Sequence, residues 1–236
     1  MDNLNMEYMM IPGTLGLITS RAETLQIEGI PLIRWGRTPL EGYSRVLKRV
    51  LDIIGSLIGL MFFLPLLLLL APLIKLDSQG PVFYRQRRLG RDGREFWIFK
   101  LRTMKYEPDA PPAWTVDNDP RQTRIGRILR KSNVDELPQL LNVLTGQMSL
   151  VGPRPEQPSF VEKFREGIPR YFQRHRVKSG MTGWAQVNGL RGDTSINERT
   201  RYDLYYVENW SLVFDLKIIV LTLREMIFGR RVKNSH

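Results

Sequence analysis

Residues 53–74 read IIGSLIGLMFFLPLLLLLAPLI, 22 residues without a charge. As one continuous helix the run would rise about 33 Å, enough to cross a bilayer core of ~30 Å. Pro65 sits near its middle, where its missing N–H and its clash with the preceding turn predict a break or kink. The segment from Ile53 to Leu64 rises only ~18 Å, too little to cross. Both flanks are basic: Arg34, Arg37, Arg45, Lys48 and Arg49 precede the run, and Lys75, Arg85, Arg87, Arg88, Arg91 and Arg94 follow it. Positive charge marks the cytoplasmic end of a membrane segment, and here it marks both ends. A helix-break-helix hairpin that enters and leaves one leaflet satisfies both flanks, whereas a kinked transmembrane helix with its N-terminus outside satisfies one. Carbonyls freed by the break then need partners within the protein. The run starts too far into the chain, and residues 1–20 lack the basic n-region, for a signal peptide. Ile218 to Leu223 is also apolar, but Asp215, Lys217, Arg224 and Glu225 surround it and predict a buried or surface-dipped helix rather than a span.

Around this segment the composition is cationic. Of 236 residues, 35 are Lys or Arg and 24 are Asp or Glu, a net charge of +11. There is no Cys, and of two His one is the terminal His236. Thiol nucleophiles, disulfides, Cys-ligated metals and His-pair metal sites are thereby excluded. Catalysis must rest on carboxylates, Arg, Lys, Tyr or a hard metal. Between Arg85 and Lys131 there are 13 basic and 6 acidic residues, so most of the excess charge directly follows the apolar run. A polybasic collar for anionic lipid accounts for this, as does a phosphate-binding site facing the bilayer.

The chain divides into three parts. Residues 1–44 read as an extension or connector with Pro12, Gly13, Gly16, Pro31 and Pro39 as breakers and a short strand at Gly29 to Arg34. Residues 45–76 form the membrane segment, and residues 77–236 a globular domain. Val82 to Tyr84 and Phe96 to Phe99, around an Asp92-Gly93 turn, predict a β-hairpin. Residues 107–120 are a Pro- and Asp-rich loop. Helical spacing resumes near Arg121 with Ile125, Ile128 and Leu129, then with Leu137, Leu140, Leu141 and Leu144 up to Gly146. Phe160, Phe164, Ile168, Tyr171 and Phe172 mark another helical surface, broken at Pro169. The expected fold is α+β and mainly helical, with interfacial amphipathic helices.

Three short stretches carry candidate chemistry. In Asp135-Glu136-Leu137-Pro138, Pro138 predicts the first turn of a helix, with Asp135 at or near its N-cap. An Asp cap with an acid in the first turn is ordinary helix chemistry. Here, however, the paired carboxylates follow Arg121, Arg124, Arg127, Arg130 and Lys131, and a helix N-terminus would lower the Asp135 pKa and keep it ionised. In Val151-Gly152-Pro153-Arg154-Pro155-Glu156, two prolines present one guanidinium from a rigid loop, suited to bidentate phosphate contact or to a solvated turn. Lys100-Leu101-Arg102-Thr103 closes the hairpin with two cations. Gly180 to Gly189 is Gly-rich but matches neither a Walker A loop nor a dinucleotide fingerprint. His175, in a basic run, reads as structural or lipid-facing.

Together these stretches resemble the bacterial polyprenyl-phosphate sugar-1-phosphate transferases, the monotopic phosphoglycosyl transferases. The resemblance runs over about residues 45–228: Lys48-Arg49 to Asp52, Phe83 to Gln86, Lys100 to Met104, Asp135 to Leu140, Met148 to Glu156, Thr182 to Gly189 and Asn209 to Ser211. It implies a reaction in which a UDP-sugar gives its sugar-1-phosphate to a polyprenyl phosphate such as undecaprenyl phosphate, releasing UMP. It implies Asp135 as nucleophile through a covalent phosphosugar, Glu136 as ligand of Mg²⁺, and Lys100, Arg102, Arg130 and Arg154 as phosphate- or nucleotide-binding cations. It also implies a re-entrant helix broken at Pro65, a place on the cytoplasmic face of the bacterial inner membrane, and a role in exopolysaccharide, O-antigen or glycoconjugate assembly. Larger members carry N-terminal transmembrane helices, and Gly29 to Arg34 looks like the connector that follows them. Three positions depart from the usual pattern: Leu64 and Asn133 stand where Ser is common, and Ser179 where Pro is.

A catalytically silent membrane-surface scaffold would use the same basic face, and the intact Asp135–Glu136 pair argues against it. A nucleic-acid partner is suggested by charge alone, with no binding motif to support it. A homodimer is compatible with the sequence, which does not set the oligomeric state or the sugar.

Overall fold

The computed structural model describes residues 23–27, 30–34, 38–106, 119–192 and 194–228. Residues 107–118 of the loop expected at 107–120, and most of the stretch before residue 38, lie outside them. The chain forms two compact units, residues 1–37 and 38–236. In the first, β1 (Glu23–Ile27) pairs antiparallel with β2 (Ile30–Arg34), Ile27 opposite Ile30. The strand expected at Gly29 to Arg34 is thus β2, and it has a partner that was not anticipated.

The second unit is built on α1 (Tyr43–Asp77), a 35-residue helix about 50 Å long. Its buried residues Lys48, Asp52, Ser56, Leu60 and Phe63 recur every three or four positions and so form one stripe. The stripe changes chemistry along its length. Lys48 pairs with Asp215 at 2.6 Å, and Asp52 accepts hydrogen bonds from the Ser149 hydroxyl and the Leu150 N–H. Beyond Ser56 the stripe is apolar, and Leu60, Phe63 and Ile74 pack with Leu101, Leu129 and Leu140. Gly59 permits this approach, because a Cβ there would lie 2.9 Å from Leu140 Cδ1. Away from the stripe, Met61, Phe62, Leu64, Leu68, Leu69, Leu73 and Leu76 are exposed. The helix is continuous across Pro65 and Pro72.

The expected hairpin is present and longer than its aromatic runs. Strand β3 (Phe83–Leu89) pairs antiparallel with β4 (Glu95–Leu101), Tyr84 opposite Lys100 and Arg88 opposite Phe96. The turn residues Asp92 and Gly93 have φ of 58° and 75°, left-handed values that Asp tolerates and Gly adopts freely. The second edge of β4 is closed by one amide: Asn142 accepts from the Phe99 N–H and donates to the Trp97 carbonyl. That pairing blunts an edge that could otherwise recruit another strand.

After the hairpin come α2 (Arg124–Ser132), a 3-10 turn (Val134–Gln139) and α3 (Leu140–Leu144). Thr123 caps α2 through the Gly126 N–H, and Asn133 ends it at φ 57°. The 3-10 turn corrects one expectation. Its N-cap is Asn133 rather than Asp135, and Pro138 lies inside it. Asn readily takes the left-handed conformation required there, which gives a physical reason for Asn at this position. A short parallel pair, β5 (Ser149–Val151) and β6 (Gly180–Thr182), brackets α4 (Pro158–Gly167) and the 3-10 turn Tyr171–Arg176. Helices α5 (Trp184–Val187), α6 (Ile196–Glu208) and α7 (Leu212–Phe228) complete the unit. Helix α7 buries Asp215 and Ile218 and exposes Val213, Leu216, Val220 and Leu223.

Candidate active site

Three elements bring the chemistry-bearing residues together. The 3-10 turn presents Asp135 and Glu136, β4 presents Lys100, and the loop after β5 presents Arg154. Arg154 forks onto Glu136, with contacts of 2.6 Å to Oε1 and 3.2 Å to Oε2. Lys100 Nζ donates to the same Oε1 at 2.8 Å. Burial opposes the Glu136 charge, but Arg154 and Lys100 outweigh it and hold this carboxyl well below the usual range. Burial also lowers the Lys100 ammonium, and Glu136 supports it.

Asp135 behaves differently. Burial pushes its carboxyl up to about 6, the Glu136 charge adds to the rise, and Lys100, Arg130 and Arg154 pull the other way. The expectation that a helix N-terminus would depress this group is therefore overturned. The turn is six residues of 3-10 helix rather than an extended α-helix, and desolvation wins over its dipole. At pH 7 a group at about 6 is still about nine-tenths ionised, so Asp135 is mostly a poorly solvated anion.

The other candidate cations take distinct places. Arg130 donates from Nε to Thr103 Oγ1 at 2.8 Å and contributes positive charge at Asp135. Arg102 turns to α1, where its guanidinium donates to the carbonyls of Ile74, Ser78 and Gln79. It is buried there and ties the base of the hairpin to the end of the long helix. His175 is buried among Tyr171 and Phe172, its imidazole held down to about 4 by burial, so it is a neutral structural group.

A small pocket lies against this cluster, lined by Arg88, Ile98, Lys100, Gln139, Arg154 and Pro155. Nothing in the linear sequence singles out Arg88 or Gln139. Strand alternation offers the signal for Arg88: given the register, Tyr84, Gln86 and Arg88 share a face with Phe96, Ile98 and Lys100. Behind the pocket the Pro-Arg-Pro loop is held by buried charges. Arg174 donates to the Arg154 carbonyl at 2.9 Å and pairs with Asp203 of α6 at 2.6 Å. Arg199, also on α6, binds Glu156 at 3.0 Å.

The chain matches, over residues 43–229, the family described as bacterial sugar transferase. That span opens at the first residue of α1 and closes one residue beyond α7. The chain belongs to the bacterial sugar transferase family. Among relatives, the chain is 43% identical to the UDP-glucose:undecaprenyl-phosphate glucose-1-phosphate transferase of Escherichia coli K12, over 91% of the chain and 47% of the relative. It is 44% identical to the UDP-N-acetylgalactosamine-undecaprenyl-phosphate N-acetylgalactosaminephosphotransferase of Aeromonas hydrophila, over 78% of the chain and 44% of the relative. It is 49% identical to the exopolysaccharide production protein PSS of Rhizobium leguminosarum bv. phaseoli, over 75% of the chain and 94% of that protein. The chain thus spans about half the length of the first two and nearly all of the third.

The carboxylates of this site are Asp135 and Glu136. Among the described residues no three His, Cys, Asp or Glu side chains cluster. The described residues therefore do not build a self-contained protein cage. Mg²⁺ commonly takes one or two carboxylates and completes its shell with water and substrate phosphates. Glu136, held ionised beside Asp135, fits that arrangement.

Proposed function

We propose that this sugar transferase moves a sugar-1-phosphate from a UDP-sugar to a polyprenyl phosphate such as undecaprenyl phosphate. The observation that carries the reading is the buried Asp135 beside an ionised Glu136 whose two cationic partners, Lys100 and Arg154, line a pocket. The names of the Escherichia coli and Aeromonas relatives support the same reaction class. In the first half, an Asp135 oxygen attacks the phosphorus that carries the sugar. The Asp–phosphorus bond forms, the phosphoanhydride bond breaks, and its electron pair leaves on UMP. In the second half, an oxygen of the lipid phosphate attacks the same phosphorus and Asp135 departs as a free carboxylate. Nucleophile and leaving group are anions in both halves, so neither step needs a proton donor or acceptor.

Lys100 and Arg154 would hold the diphosphate oxygens, trading part of their contact with Glu136 for contact with substrate. Arg130 keeps positive charge near Asp135, and Arg102 positions the strand that bears Lys100. Glu136, together with substrate phosphate oxygens, would hold Mg²⁺. When bound, the ion neutralises charge that develops on the transferred phosphoryl group.

The long helix supports a membrane-surface setting. Its polar start is bonded to Asp215 and Ser149, and the carbonyls at its end are bonded to Arg102. Both ends therefore belong to one charged globular unit, which a straight span would have to divide between two sides of a bilayer. A helix that enters and returns on the cytoplasmic side of the inner membrane, bent near Pro65, keeps the unit whole. It also leaves the exposed apolar residues in lipid and the basic flanks among anionic headgroups.

The reaction is tested by incubating the full chain in lipid with polyprenyl phosphate, Mg²⁺ and a panel of UDP-sugars while UMP is measured. At least one donor is expected to release UMP, and chelation of the metal to abolish release. If no UDP-sugar yields UMP, the reading fails.

A further inference from the structure

Three cations line the pocket, but the carboxylate beside it, Glu136, is already claimed by two of them, Lys100 and Arg154. The third is Arg88. Its side chain is 15% exposed, and its guanidinium is aimed by two contacts. NH2 donates to Gln86 Oε1 at 2.7 Å and NH1 to the Pro155 carbonyl at 3.3 Å. The nearest acid, Glu156, stands 3.8 Å away and takes a closer bond from Arg199 at 3.0 Å. Arg88 Nε is buried without a hydrogen-bond partner. A buried donor left unpaired carries a desolvation cost that an incoming acceptor would relieve. Burial also brings this guanidinium down to about 10 against the support of Glu156, and it remains charged at neutral pH.

We propose that Arg88 is a substrate-binding residue of this site, donating from its unpaired guanidinium nitrogen to a phosphoryl oxygen. Gln86 and Pro155 orient it in advance, so less rotamer freedom is lost on binding. The inference rests on the transfer reaction proposed above and adds a residue to it. Both substrates carry phosphoryl oxygens, so the ligand chemistry is shared, and kinetics distinguish the source.

The test compares Arg88→Met, Arg88→Lys and Arg87→Met in lipid, with KM for the UDP-sugar and for polyprenyl phosphate measured separately. Arg87 is on the opposite face of the same strand and largely exposed, so its substitution removes the same charge without touching the pocket. Binding of UDP to each protein in the Asp135→Asn background gives a readout without turnover. Arg88→Met is expected to raise one KM by about tenfold to a hundredfold, the worth of a charge-assisted hydrogen bond, with Arg88→Lys recovering part of the loss and Arg87→Met unchanged. A rise confined to the donor, with weaker UDP binding, assigns the contact to the diphosphate; a rise confined to the acceptor assigns it to the lipid phosphate. Unchanged KM values for both substrates in a folded Arg88→Met protein would overturn the proposal. If the wild type neither binds UDP nor releases UMP, the transfer reaction itself is at fault. If Arg88→Met does not fold, the Arg88→Lys KM values decide, equality with wild type counting against the proposal.

Discussion

Glu136 and Asp135 are adjacent in sequence yet are pushed in opposite directions. Glu136 meets two cations, and Asp135 meets burial and the charge of its neighbour. The signs give a pH prediction. Attack requires ionised Asp135, so kcat/KM should fall as pH drops through about 6, rather than through the usual Asp value near 4. Lys100 stabilises the Asp135 anion, and Lys100→Met should move this acid limb to higher pH. Glu136 destabilises it, and in Glu136→Gln the residual activity should retain its acid limb to lower pH. A pH–rate profile of each variant checks both directions. At this scale the sequence was informative where neighbours in the chain are neighbours in the site. Asp135, Glu136 and Arg154 stand in rigid, Pro-containing segments whose composition already suggests anion chemistry. Arg88 becomes visible only once a strand register places it opposite Phe96, and the elevated Asp135 pKa only once burial is known.

Among the elements, α6 acts as the backing of the Pro-Arg-Pro loop. Arg174 bridges Asp203 and the Arg154 carbonyl, and both side chains are almost wholly enclosed. Asp203→Ala would leave a buried guanidinium without its counter-charge and should cost about 3–5 kcal/mol, read as a lowered unfolding midpoint. Because Arg174 also fixes Arg154, the milder Asp203→Asn should lower kcat more than it lowers stability. A pair 29 positions apart, between a 3-10 turn and a helix, has no periodicity to announce it in the sequence. The hairpin does announce itself, through aromatic and β-branched runs around Asp92-Gly93. The turn after Asn133 was legible as helical but not as 3-10, since that choice depends on how its residues pack on β4 and α1 rather than on local propensity.

For the whole molecule, the apolar run from Ile53 to Ile74 was legible from hydropathy, and α1 is indeed the frame on which the second unit assembles. What hydropathy conceals is the polar stripe of Lys48, Asp52 and Ser56: the partners of Lys48 and Asp52 lie about 100 to 170 residues away, and Ser56 donates back to the Asp52 carbonyl. Lys48→Met would leave Asp215 buried with neutral donors from Tyr206 and Trp210, and should loosen the start of α1, seen as faster amide exchange there. Cysteines placed at the exposed Glu41 and Asp92 of this Cys-free chain should both react with an impermeant reagent from the cytoplasmic side; labelling from opposite sides would contradict the re-entrant course. The long helix, the hairpin and the Pro-Arg-Pro loop converge on Asp135, and the most direct measurement is made there. The protein is incubated with a competent UDP-sugar and Mg²⁺ without polyprenyl phosphate, and the protein is then analysed by mass spectrometry. One sugar phosphate per chain, located on the peptide containing Asp135 and released on adding polyprenyl phosphate, is the expected result. Sustained transfer by Asp135→Asn, or turnover by the wild type with no adduct on that peptide under these conditions, would contradict it.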